Sequence, residues 1–106
     1  MIYTVEELKR KISPIAKQYG LKAVYLFGSY ARNEATDNSD VDILIDRTDS
    51  KIKGMFDMGG LYSDLQESIG KSIDLVTTQT LEQTSTRQRV PYFVENLYAE
   101  RLKIYE

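Results

Sequence analysis

Cysteine and histidine are both absent from this chain of 106 residues. Without cysteine there is no disulfide and no thiol nucleophile, and without histidine there is no Ser-His-Asp triad. A zinc site built from cysteine and histidine is excluded for the same reason. Any chemistry that this chain performs therefore depends on carboxylates, hydroxyls, backbone groups and basic side chains.

Long apolar runs and an excess of positive charge are also missing. No stretch is long enough to span a bilayer, and the first residues, MIYTVEE, lack the basic and apolar regions of a signal peptide. We therefore expect a cytoplasmic protein. The net charge of −2 gives no overall field that favours a nucleic-acid backbone. A polynucleotide substrate is therefore not expected.

The hydrophobic pattern predicts a small α/β (α+β) domain that spans residues 1–106 as one unit. We expect a small mixed β-sheet with the acidic site at one edge and helices packed on one face. The predicted helices are 4–19, 54–70 and 91–100, and the predicted strands are 22–27, 41–46, 72–77 and 102–105.

Three residues interrupt this pattern. Pro14 should kink or split the first helix, which begins at a Thr4–Glu7 capping box. The pair Gly59-Gly60 weakens the middle of the second helix and predicts a helix break, with a flexible flap as the alternative.

The last third of the chain offers fewer candidates. Residues 78–89 are polar and contain Arg87 and Arg89, a pair that we interpret as solvated rather than as a contact for a partner or nucleotide. Phe93 and Leu97 are interpreted as core residues of the last helix.

An acidic strand follows a glycine-serine turn. Asp40 and Asp42 are two residues apart, so their side chains point to the same side of the strand and repel each other. The usual neutraliser of such a pair is a divalent cation held by oxygen ligands. Gly28 permits close backbone approach, and Ser29 at the start of a helical turn offers donors to a phosphate. This combination is typical of phosphoryl or nucleotidyl transfer.

These residues carry a family resemblance. The pattern Gly28-Ser29, ten residues, then Asp40-Val41-Asp42 resembles the nucleotidyltransferase superfamily that contains DNA polymerase beta and the kanamycin nucleotidyltransferases. The short length and the Gly-Ser-Tyr-Ala-Arg run resemble its minimal nucleotidyltransferase branch, the antitoxin partners of HEPN-domain toxins. One position departs from the pattern, since Asn33 stands where that branch usually has glycine. Asparagine tolerates a left-handed backbone, so we expect the turn to persist.

The resemblance implies roles for six residues. Asp40, Asp42 and the later Asp74 would be the catalytic carboxylates and would ligate Mg²⁺, with Asp74 helping to deprotonate the attacking hydroxyl. The residues implied in nucleotide binding are Gly28, Ser29 and Arg32, although Arg32 is equally compatible with a solvated helix residue. Asp46, on the same strand face as Asp42, is expected to be structural or solvated.

The resemblance further implies an activity and a partner. The chain would transfer AMP from ATP to a hydroxyl, expected to be a tyrosine, of a partner HEPN toxin, and would act as its antitoxin in a hetero-oligomer. The alternative is a non-catalytic antitoxin that neutralises the toxin by covering it. A third hypothesis is transfer to a small molecule such as an aminoglycoside.

Overall fold

The computed structural model describes residues 2–82 and 91–106. The helices within these residues are α1 (Val5–Tyr19), α2 (Gly28–Ala31), α3 (Met55–Ile69), α4 (Thr78–Glu82) and α5 (Pro91–Glu100). The strands are β1 (Ala23–Phe27), β2 (Val41–Asp46), β3 (Ile73–Thr77) and β4 (Leu102–Tyr105). Arg87 and Arg89 lie outside the described residues, so the interpretation of this pair stays untested. None of the described helices is both long and apolar enough to cross a membrane.

The four strands form one mixed sheet in the order β3-β2-β1-β4. Strand β1 runs antiparallel to both β2 and β4, whereas β2 and β3 are parallel. The predicted mixed α/β fold is confirmed. The register of the central strands determines what meets at the end of the sheet, because Asp42 of β2 lies opposite Phe27 of β1 on one side and Asp74 of β3 on the other.

Helix α1 begins and ends as the sequence predicts. The Thr4 backbone N–H donates to Glu7 Oε1 over 2.9 Å, and the Glu7 N–H donates back to Thr4 Oγ1 over 3.1 Å. Gly20 ends the helix in the left-handed conformation. The helix is not split at Pro14, since one helix spans Val5–Tyr19. Its buried residues Leu8, Ile12 and Ala16 share one face, so packing supports the helix on both sides of the proline.

Helix α3 is continuous through Gly59 and Gly60, so the predicted break and the alternative flap are both wrong. The helix buries Leu61, Leu65 and Ile69 against the core, and this burial outweighs the low helix propensity of two glycines. At its first turn Met55 and Phe56 are almost fully exposed.

Both faces of the sheet carry helices, in unequal amounts. The main core lies between the sheet and helices α1 and α3, where Val41, Ile43 and Ile45 of β2 are buried. A smaller cluster forms on the opposite face, where Phe27 and Leu44 pack against side chains of α4 and α5. The α4 and α5 residues of this cluster are Leu81, Val94 and Leu97. The prediction of helices on one face is therefore incomplete, because the polar segment that contains α4 was not predicted to be helical.

Candidate active site

The carboxylates of Asp42 and Asp74 lie side by side at the end of the sheet where β2 and β3 begin. Asp42 and Asp74 are each the second residue of their strand, and the parallel register pairs them directly. Paired residues of neighbouring strands have backbones about 4.8 Å apart, and their side chains leave the same face. Asp74 is exposed and Asp42 is half-buried, so the pair is accessible from solvent on the Asp74 side.

The pKa of Asp42 is raised from its usual 3.8 to about 6. Partial burial is the largest cause, followed by the negative charges of Asp74 and Asp40, while Arg32 acts in the opposite direction. Without a bound cation, burial and the charges of Asp74 and Asp40 therefore make ionisation of Asp42 unfavourable in the folded chain. A cation ligated by these oxygens would relieve the repulsion.

Asp40 occupies a more peripheral position than Asp42. It directly precedes β2 and is exposed, and it lies outside the lining of the cleft described below. Within residues 2–82 and 91–106, no group of three or more Asp, Glu, His or Cys side chains is gathered closely enough to hold a metal ion alone. Two carboxylates with a third nearby do fit Mg²⁺, which keeps several waters and shares its ligands between protein and phosphate oxygens.

Gly28 joins β1 to α2 and lies against the carboxylate of Asp42. Its φ is +68°, and a Cβ placed there would lie 2.0 Å from Asp42 Oδ2. No other residue type fits both the backbone conformation and this contact. The next residue, Ser29, is half-buried, and its carbonyl accepts a hydrogen bond of 2.8 Å from the Glu34 N–H. Gly28 lines the cleft, whereas Ser29 is not one of its lining residues.

Arg32 follows α2 and already has two acidic partners. Its Nε lies 3.3 Å from Glu34 Oε2, and its Nη1 lies 3.1 Å from Glu100 Oε1. Hydrogen bonds to Glu34 and Glu100 raise the pKa of Arg32. Both Arg32 and Glu100 line the cleft, so an anion that enters there competes with Glu100 for the guanidinium.

The polar loop between α2 and β2 is ordered by its own side chains. Asn33 has a φ of +60°, the left-handed conformation expected for this position. The Thr36 N–H donates to Ser39 Oγ over 2.8 Å. Lys71, just before β3, donates to the Asp37 carbonyl over 3.3 Å and to Tyr30 Oη over 3.1 Å. These bonds hold the loop beside the start of β2, where Asp40 and Asp42 follow.

Asp46 lies on the same face as Asp42, at the other end of β2. Its Oδ1 accepts hydrogen bonds from the N–H and the hydroxyl of Thr48, over 3.0 and 2.6 Å. Asp46 therefore has a structural role in a local turn, as the sequence predicts. Asp74 pairs with Asp42 near the start of β2, whereas Asp46 is the last residue of that strand.

A cleft of about 550 Å³ opens over the carboxylates. One side consists of residues from the sheet and α2, and the other side is contributed by α5. The lining residues are Phe27, Gly28, Arg32, Asp42, Asp74, Phe93, Asn96, Leu97, Ala99 and Glu100. Sequence reasoning missed Asn96 and Glu100, although both follow Phe93 at helical spacing.

Phe93 differs from its prediction as a core residue. Leu97 is buried, as expected, but the side chain of Phe93 is 48% exposed and lines the cleft. The two residues lie four positions apart in α5, and only Leu97 packs into the smaller cluster on this face of the sheet.

Comparisons with known proteins identify the family of this chain. Residues 10–99 match the model of a family described as "Polymerase beta, Nucleotidyltransferase". A relative from Methanocaldococcus jannaschii, named "Putative protein adenylyltransferase", is 40% identical over 77 residues, which cover 73% of this chain and 81% of the relative.

Two solved structures share the fold. One is named "Structure of putative minimal nucleotidyltransferase", and the match has a TM-score of 0.70 at 24% identity and covers 94% of this chain and 95% of the other. The second is a toxin–antitoxin crystal structure with AMP-PNP, with a TM-score of 0.66 at 23% identity, covering 91% of this chain and 71% of that one. The chain belongs to the family described as "Polymerase beta, Nucleotidyltransferase".

Proposed function

We propose that this chain transfers AMP from ATP to a hydroxyl group of a partner toxin and thereby acts as an antitoxin. The observation that carries the proposal is the pairing of Asp42 and Asp74 beside Gly28 at the floor of one cleft. The relative named as a protein adenylyltransferase and the toxin–antitoxin fold neighbour with AMP-PNP support the choice of nucleotide and of a protein acceptor.

Asp42 and Asp74 are the residues that would hold Mg²⁺, with Asp40, whose charge already acts on Asp42, as a further oxygen ligand. The carboxylate set suits a hard cation, and the raised pKa of Asp42 reflects a local excess of negative charge. When bound, Mg²⁺ would neutralise charge on the triphosphate and on the pyrophosphate that leaves.

The residues of the chain would perform the remaining steps. Gly28 lets a phosphate approach the backbone at a point where any side chain would meet Asp42. Arg32 would exchange Glu100 for phosphate oxygens, since its guanidinium is at the cleft wall. The acceptor oxygen bonds to the α-phosphorus, the bond to the bridging oxygen breaks, and pyrophosphate leaves. Asp74, the more exposed carboxylate, would take the proton of the acceptor hydroxyl.

The acceptor that we propose is a tyrosine of a HEPN-domain toxin bound to this chain. The cleft opens to the surface beside exposed aromatic residues of α5, Tyr92 and Phe93, which suits a protein surface better than a small hydrophilic acceptor. Because the reaction consumes ATP with Mg²⁺, we propose the cytoplasm as its location.

The test is intact-mass spectrometry of the proposed partner toxin after incubation with this chain, ATP and Mg²⁺. We expect the toxin to gain one or more AMP units, and Asp42→Asn to reduce the rate at least a thousandfold, on the order of the loss when a metal-bound catalytic group is removed. Asp46→Asn is the matched control, because it changes a carboxylate on the same strand face that bonds Thr48 instead. Equal modification by wild type and Asp42→Asn would contradict the proposed mechanism.

A non-catalytic antitoxin is the second candidate. The exposed apolar side chains of Met55 and Phe56 favour a role in binding another protein. A double variant, Asp40→Ala with Asp42→Ala, separates the two functions in cells that express the toxin. Loss of protection with an intact complex supports catalysis, whereas full protection by the double variant supports neutralisation by complex formation alone.

A further inference from the structure

Helix α5 presents a row of three different side chains to the cleft. Phe93, Asn96 and Glu100 line it, at positions i, i+3 and i+7 of one helix face. The row extends over about 10 Å at the rise of an α-helix. Leu97, on the adjoining part of the helix, is 2% exposed and fixes α5 to the sheet. The row is therefore anchored by a buried residue while its own members face open space.

The chemistry of the row changes along its length. Glu100 is bonded to Arg32, which places the end of α5 beside the phosphate-binding side of the proposed site. Phe93 lies two helical turns away and offers an aromatic face that is half exposed. A nucleotide has the same polarity, with charged phosphates at one end and a flat aromatic base at the other.

Phe93 has the properties of a stacking surface. It is absent from the buried cluster that Val94 and Leu97 form with the sheet, so the core does not require it. An aromatic ring in a cleft stacks on any nucleobase, because every base has a π-face. Its neighbour Tyr92 is 78% exposed and does not line the cleft.

Asn96 adds a group that can hydrogen-bond to the edge of a base. Its side chain is exposed at the cleft and makes no hydrogen bond to the residues that the structure describes. An asparagine amide both donates and accepts, which matches the adjacent amino donor and ring-nitrogen acceptor of adenine. The same amide, turned over, matches the O6 acceptor and the N1–H donor of guanine, so it can hydrogen-bond to either purine.

We propose that Phe93 and Asn96 form the nucleobase subsite of this cleft, with Phe93 stacking on the base and Asn96 hydrogen-bonding to its edge. The inference rests on the proposed function, because it assigns the base of the nucleotide whose phosphates the carboxylate end would hold. Helix α5 would thus bind the base, which neither the carboxylates nor Gly28 can do.

The experiment is calorimetric titration of the full chain, with Mg²⁺, using the α,β-methylene analogues of ATP and GTP and inorganic tripolyphosphate. These nucleotide analogues cannot be turned over between the α- and β-phosphates, so binding is measured apart from catalysis. We expect Phe93→Ala to weaken both analogues about tenfold or more and to leave tripolyphosphate unchanged. Tyr92→Ala is the matched control and should bind all three ligands as wild type does.

Asn96→Asp tests the hydrogen bond from residue 96 to the base. A carboxylate only accepts hydrogen bonds, so it repels the ring nitrogen of adenine and accepts from both donors of guanine. We expect the ratio of ATP-analogue to GTP-analogue affinity to fall by about tenfold. Thermal melts of both α5 variants should match wild type, because both side chains lie outside the buried clusters.

The binding results distinguish failure of the nucleobase subsite from failure of the proposed function. If wild type binds the ATP analogue and neither variant changes binding, the nucleobase subsite is wrong and the proposed function stands. If Phe93→Ala and Tyr92→Ala weaken binding equally, or tripolyphosphate is affected as strongly, the assignment of stacking to Phe93 is overturned. If wild type binds neither analogue in the presence of Mg²⁺, the proposed function fails together with the inference.

Discussion

Gly28 shows how a single residue constrains the site. Its φ of +68°, and the 2.0 Å that would separate an added Cβ from Asp42 Oδ2, make alanine unfavourable for two separate reasons. We expect Gly28→Ala to lower the free energy of unfolding by about 1–3 kcal/mol and to remove most transferase activity. Chemical denaturation and the mass-spectrometric assay measure the two effects.

Gly70 provides the control that separates these reasons. Its φ is +71°, but a Cβ added there meets nothing within 4 Å. Gly70→Ala should therefore cost about 1 kcal/mol of stability from backbone strain and leave transfer at the wild-type rate in the folded protein. If Gly28→Ala and Gly70→Ala behave alike, contact with the Asp42 carboxylate is not what requires glycine at position 28.

The raised pKa of Asp42 predicts a pH dependence of stability. The folded chain holds this proton up to about pH 6, whereas the unfolded chain loses it near 3.8. Stability of the metal-free protein should therefore fall as the pH rises between these values and stay level above them, as far as this group is concerned. Asp42→Asn removes the charge and should flatten this part of the profile.

At pH 7.5 the same variant should be more stable than wild type in the presence of a chelator. We expect a gain on the order of 1 kcal/mol, smaller than the full pKa shift implies because solvent screens a half-exposed pair. Thermal melts from pH 3.5 to pH 8 measure the effect. A metal-free Asp42→Asn that is less stable than wild type at pH 7.5 would contradict the cause that we assign to the shift.

At the scale of single residues, the sequence predicts much of the site and leaves part of it unpredicted. Gly28 and Asp42 belong to a local pattern, and the apolar neighbours of Asp74 indicate which way it faces. The partner of Arg32 is a different case. Glu100 lies 68 positions later in the chain, and only tertiary packing brings its carboxylate to 3.1 Å. No spacing in the sequence predicts such a contact.

At the scale of elements, helix α3 offers a direct test of its glycine pair. A Cβ added at Gly59 meets nothing within 4 Å, whereas one at Gly60 would lie 3.1 Å from Tyr19 Oη. Gly59→Ala should raise the free energy of unfolding by about 0.5–1 kcal/mol through reduced entropy of the unfolded chain. The corresponding rise in Tm is about 4–8 °C per kcal/mol for a domain of this size.

Gly60→Ala is the matched control for that substitution. The hydroxyl of Tyr19 donates to Asp64 over 2.6 Å, and the added methyl would press on it. The gain in helix propensity should therefore be reduced or reversed at position 60. Equal stabilisation by both substitutions would show that the contact between α1 and α3 is looser than these distances indicate.

Sequence periodicity predicts most elements because each has a local cause. The capping box of α1, the alternation of β2 and the stop at Gly70 are all encoded within a few residues. The continuity of α3 is not, since it depends on burial of Leu65 and its neighbours against distant parts of the chain. The same reason explains Phe93, whose exposure is set by the way α5 lies on the sheet.

At the scale of the whole molecule, topology creates the site. The parallel pairing of β2 and β3 brings Asp74 beside Asp42, and the antiparallel pairing of β1 and β2 brings Gly28 to the same end of the sheet. Helix α5 then closes one side of the cleft. The family resemblance anticipates this arrangement, but propensity and spacing alone do not fix the order of strands.

The central claim is that this fold transfers a nucleotide rather than a phosphate. The most direct measurement is a pair of reactions with wild-type chain, Mg²⁺ and the proposed partner toxin, one with ATP labelled at the α-phosphate and one with ATP labelled at the γ-phosphate. We predict that the toxin acquires the α label, while the γ label is released as pyrophosphate. Label from the γ position on the toxin, or no label from either, would contradict it.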